Sequence, residues 1–277
     1  MTMKSILAIL SSTGFEGDLQ SAIAFCAARK AHLTCLVVSL GQPPVFSEYS
    51  AVSTIWIDQR QREIDELSQK AGKIRTQLSK SDLSYEVQDL YTEFAWADDD
   101  IAQRALYVDL VLIGREAARD EELRKRILDG ALFQSPTPII INRSELELAP
   151  HAKSIILAWD SSNEAPRAAR LSIDVLKHAE TVYVTMVDPV ARMAANGEEP
   201  GADVAAYLAR HGVRVQVDRI ASGGRQADEI LRQHALDVSA DLIVMGAYNH
   251  PRWRQSLFGG TTRGMIEDSR MPVMLAH

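Results

Sequence analysis

Asp109–Gly114 reads DLVLIG and Asp241–Gly246 reads DLIVMG, one six-residue phrase written twice. Four consecutive apolar residues between an aspartate and a glycine suit a strand covered by helices on both faces, because a strand with one wet face would alternate. Working outward, the flanking segments also come twice and in one order. SILAILS at 5–11 matches SIILAWD at 154–160. Amphipathic helical patterns follow at 16–31 and 163–180, then the apolar strands HLTCLVVSL and TVYVTMVDP. A polar-alternating strand comes next in each copy, LSYEVQDLY and VRVQVDRIA, then a helix, then the quoted phrase. Each copy closes on a strand after a proline, TPIIINR and MPVMLAH. Strands alternating with helices in two copies predict parallel sheets with helices packed on both faces.

The predicted organisation is a first repeat over 1–142, a polar linker over 143–153 that contains Pro150, and a second repeat over 154–277. The copies differ most after their second strand. Residues 51–80 form a long periodic helix in the first, where the second has only GADVAAYLARHG. A chain of 277 residues with 46% hydrophobic and 24% charged residues has the balance of a globular protein. Its net charge of −7 provides no basic field for nucleic acid. The start, MTMKSILAIL, reads as a first strand rather than a signal peptide, and no apolar run approaches the roughly 18 residues of a membrane span. Cys26 and Cys35 have neither metal-site nor redox-motif spacing. Together these features predict a cytoplasmic protein in a reducing compartment, with no membrane insertion and no nucleic-acid partner.

Open parallel sheets bind ligands beyond the carboxyl ends of their strands, where strand order reverses and two loops diverge. In the second copy those loops are DSSNEAP, from Asp160, and GAYNHPRWRQSLFGGTT, from Gly246. Asp160 can accept hydrogen bonds from ribose or an exocyclic amine; alternatively, Asp160 or Ser162 caps the helix that begins near Glu164. Gly259, Gly260, Thr261 and Thr262 stand where a helix begins, and exposed N–H groups there favour an anion. The competing reading is a glycine-permitted turn with threonine capping.

These residues resemble the universal stress protein family, here as a tandem pair over essentially the whole chain. The family's nucleotide-binding members carry a glycine, two residues, a glycine, nine residues, a third glycine and then serine or threonine. Gly246 stands at the first position, Asn249 at the second and Gly259 at the third; Gly260 takes the hydroxyl position, with Thr261 and Thr262 beyond it. The resemblance implies that Asp160 contacts the nucleoside and that Met186 contacts adenine through its backbone. Asparagine can supply the left-handed turn that glycine would provide at 249, but it cannot supply close approach of phosphate to a bare Cα.

The first copy departs further. SSTG replaces the aspartate after its first strand, and REAARDEELRKRILDG holds no second glycine at the family's spacing, so it reads as a degenerate nucleotide site. Gly14 and Gly17 form only a weak GxxG signal. Asp98, Asp99 and Asp100 suit the positive end of a helix rather than a metal. SGG at 222–224 reads as a helix opening, and there is no nucleophile elbow.

The resemblance therefore implies two Rossmann-like sandwiches of the adenine nucleotide alpha hydrolase-like kind, each a five-stranded parallel sheet. They are expected to pack as an internal pseudo-dimer, with final strands meeting near Ile139 and Val273, and two chains are expected to assemble as a homodimer. The implied function is stress adaptation through ATP or AMP, with or without magnesium, at the second repeat. Catalysis is not expected beyond slow ATP hydrolysis, which stays open. A nucleotide-free protein-interaction module and a small-molecule or lipid carrier remain the alternatives.

Overall fold

In the computed structural model, which describes residues 3–43, 54–189, 199–247 and 260–277, contacts divide the chain into two units. One is Lys4–Thr137; the other is Pro138–His277 together with the N-terminal residues through Met3.

The first unit runs β1 (Ser5–Ser11), α1 (Glu16–Arg29), β2 (His32–Gly41), α2 (Thr54–Leu78), β3 (Tyr85–Glu93), α3 (Ala97–Ala105), β4 (Leu110–Ile113), α4 (Arg115–Arg119) and α5 (Glu121–Ile127), then a π-turn at Leu128–Leu132. Its strands lie in the order β3-β2-β1-β4, all parallel, with Ile6 in register with both Leu33 and Leu110. Every residue of β4 is buried, as its unbroken apolar run requires. The long helix α2 turns Leu67, Ala71, Ile74 and Leu78 inward at helical spacing, and this stripe holds it to β2 and β3.

The expected acid run serves structure. Asp98 accepts from Arg126 at 3.2 Å and Gln134 at 3.1 Å, and Asp100 accepts from the Thr92 hydroxyl at 2.6 Å. Cys26 and Cys35 are fully buried, and burial pushes each thiol up to about 12.

The second unit contains β5 (Ile139–Ile141), β6 (Ser154–Ala158), α6 (Glu164–Leu171), α7 (Ile173–Leu176), β7 (Thr181–Val187), α8 (Ala202–Arg210), β8 (Val215–Ile220), α9 (Ala227–Asp237), β9 (Leu242–Gly246), α10 (Gly260–Asp268) and β10 (Val273–Ala276). Five parallel strands lie in the order β10-β9-β6-β7-β8, and β5 pairs antiparallel with β10. Ile141, Ile140 and Ile139 face Val273, Met274 and Leu275. The closing strands of the two sequence copies thus meet, as the resemblance implies, and β5 groups with the second unit.

Helix α6 begins with Glu164-Ala165-Pro166, a place where proline's missing N–H costs nothing. It buries Ala165, Ala168 and Ala169. These small side chains let α6 lie close on β9.

Candidate functional site

The carboxyl ends of β6, β7 and β9 open into a crevice of about 330 Å³, bounded by the first turns of α6, α9 and α10. This is the size of a small-molecule pocket. Asp160, Ser162 and Glu164 enter it from the β6 side, Thr185 and Val187 from β7, and Gly246 from β9. Gly260, Thr261 and Thr262 enter from the start of α10, and Leu231 and Met245 supply apolar wall.

Asp160 is exposed, and one of its carboxylate oxygens accepts from the Ser162 N–H at 2.9 Å. That bond steadies the loop before α6, where Ser161 takes φ +60°. No described residue hydrogen-bonds the second carboxylate oxygen. At α10, Gly260 is exposed and Thr262 is buried, and no described residue hydrogen-bonds either threonine hydroxyl. Gly260, Thr261 and Thr262, the first three residues of this nine-residue helix, line the crevice, and the first N–H groups of a helix have no partner within it.

Gly246 has a role that spacing could not reveal. A Cβ there would stand 2.7 Å from the Glu164 carbonyl carbon and 2.9 Å from the Ala165 nitrogen. Glycine is therefore needed for α6 to pass close over the end of β9.

Of the residues singled out from sequence, Asp160, Gly246, Gly260, Thr261 and Thr262 come together in this crevice. Met186 does not bring its side chain there. It is 3% exposed and packs against Gly201 on the opposite face of β7, so only its backbone is available at this edge. Strand alternation turns Thr185 and Val187 inward instead, a signal that TVYVTMVDP already carried. Asn249 and Gly259 lie outside the described residues. Glu164 was missed as a site residue because it reads as an ordinary acid in a helix's first turn.

The first unit has a corresponding crevice, of about 290 Å³, at the ends of β1 and β2. Its lining is acidic, with Glu63 and Glu66 from α2 and Asp120 and Glu122 at the start of α5; Lys70 is the one cation among its described lining residues. Beside it, two carboxylates occupy helix starts where an anion would otherwise go. Asp18 accepts from the Glu116 and Ala117 N–H groups at 3.1 and 2.9 Å, and Glu116 accepts from those of Gly17 and Asp18 at 3.1 and 3.2 Å. Gly114 leaves room for this exchange, since a Cβ there would collide with the Asp18 carboxyl group.

Burial raises the Asp18 carboxyl above the usual range despite the amide donors, and Glu116 pushes the same way. A raised folded value means that the stability tied to this proton is present below the ordinary 3.8 and is lost as pH rises through the folded value. Asp18→Asn carries no such loss. Its stability relative to the unmodified protein should therefore rise as pH climbs above the ordinary 3.8, as read from urea midpoints. A relative stability that falls over that range would contradict the sign.

A model of the universal stress protein family matches residues 151–277. A curated relative, a universal stress protein of Synechocystis sp., is 21% identical over 175 residues, covering 60% of this chain and 57% of the relative. The match thus spans little more than half of that relative's length. A universal stress protein structure from Archaeoglobus fulgidus DSM 4304 covers 98% of this chain and 95% of its own, with a TM-score of 0.68 at 14% identity. A functionally unknown protein from Pseudomonas aeruginosa PAO1 covers 99% and 92%, with a TM-score of 0.58 at 14% identity. Both structures share the fold along the whole length of this chain.

Proposed function

We propose, on the match of residues 151–277 to the universal stress protein family model, that the crevice of the second unit binds an adenine nucleotide, ATP or AMP, as the means by which the protein serves in stress adaptation. The observation that carries this reading is convergence. Asp160 and the Gly260–Thr262 segment lie about a hundred residues apart in sequence yet line one crevice.

The division of labour follows from chemistry. The start of α10 and its two threonine hydroxyls receive a phosphate, because unpaired N–H groups and the helix dipole favour negative charge there. The free oxygen of Asp160 accepts from a ribose hydroxyl or the adenine amino group. Val187, Leu231 and Met245 offer an apolar wall to the base.

Thermal unfolding tests the reading. AMP or ATP in large excess over its dissociation constant should stabilise the protein by about 2–3 kcal/mol. Asp160→Ala should weaken binding about tenfold or more and remove about half of that shift or more. No shift at about millimolar nucleotide, a concentration that corresponds to only ~4 kcal/mol of binding, would count against the proposal.

A further inference from the structure

Glu164 is the anomaly in the crevice. It opens α6 and faces Gly246, so close that a Cβ on the glycine would stand 2.7 Å from the Glu164 Cβ. Its Oε2 is buried and has no hydrogen-bond partner, although Glu164 lines the crevice. A buried polar atom left without a partner calls for an explanation in what the site binds or rejects. The start of α6 lends Glu164 partial positive charge. Among the described lining residues, however, there is no lysine or arginine to neutralise it.

The sheet order places this carboxylate at one particular end of the ligand. The strands run β9-β6-β7, with Gly246 at the end of β9, Asp160 just beyond β6, and Thr185 and Val187 on β7. With phosphate at the start of α10 and the base against β7, Glu164 sits at the phosphate end. Two negative groups brought together away from bulk water repel more strongly than they would in solution. One phosphate can be held by the N–H groups of α10, but each further phosphate adds charge within reach of the same carboxylate, which has no lysine or arginine beside it among the described lining residues.

We propose that Glu164 is a specificity-determining residue that sets the charge of the ligand, so that the crevice takes a nucleoside monophosphate in preference to the triphosphate. The inference rests on the nucleotide reading above and deepens it.

Calorimetric titration of adenosine, AMP and ATP into the full-length protein and its Glu164→Gln variant provides the test. Glutamine keeps the shape and removes the charge. The unmodified protein should bind AMP about tenfold or more tighter than ATP. Glu164→Gln should narrow that ratio by about tenfold while leaving adenosine affinity within about twofold. ATP binding as tightly as AMP to the unmodified protein would overturn the proposal, as would an unchanged ratio in the variant. A loss of adenosine binding in the variant would also overturn it, because Glu164 would then be supporting the site rather than selecting charge. Failure of the nucleotide reading looks different: none of the three ligands binds either protein.

Discussion

Gly246→Ala is expected to destabilise the protein by about 2–3 kcal/mol whether or not nucleotide is present. The added methyl group would meet backbone atoms of Glu164 and Ala165 at 2.7 and 2.9 Å, well inside contact distance. Neither can swing aside as a flexible side chain would, since both belong to the first turn of α6, whose Ala165, Ala168 and Ala169 are packed inward. Relief would require α6 to lift from the end of β9. Urea unfolding of the ligand-free variant measures the effect directly. If stability is unchanged and only nucleotide affinity falls, the glycine serves the phosphate and the packing argument is wrong.

Ile140→Asp should be more damaging, costing more than about 4 kcal/mol and taking nucleotide binding with it. Ile140 is 1% exposed and stands opposite Met274, also 1% exposed, in the β5–β10 ladder. A carboxylate there would have no polar partner and would disrupt the strand that borders β9. The prediction is informative because Ile140 lies in the first sequence copy, whereas the crevice lies in the second. If the variant still binds nucleotide with unchanged affinity, β10 does not depend on β5.

The fold was legible because its signals are periodic. The doubled DLVLIG and DLIVMG phrases gave buried strands, and the repeated order of elements gave parallel sheets. Asp160 and Gly260–Thr262 were legible because strand ends in such sheets are where loops diverge. Other features depend on pairing and packing that no local pattern encodes. The antiparallel seating of β5 on β10 is a choice of partner, and TPIIINR reads the same with any neighbour. Gly246 looked like a phosphate contact because its second duty, making room for Glu164 and Ala165, involves residues some eighty positions earlier in the chain. The exchange between Asp18 and Glu116 was hidden for the same reason: each reads as an ordinary acid in a helix's first turn, and only the fold brings them together. That exchange supplies a physical ground for expecting no nucleotide in the first unit, since two helix starts beside its acidic crevice already hold carboxylates.

The central claim is therefore a count: one adenine nucleotide per chain, held in the second unit. Native mass spectrometry of the full-length protein titrated with AMP reads that count. The account predicts a single added nucleotide at saturation, with a dissociation constant raised about tenfold or more in Asp160→Ala. Two nucleotides per chain, none, or one that Asp160→Ala binds with unchanged affinity would contradict it.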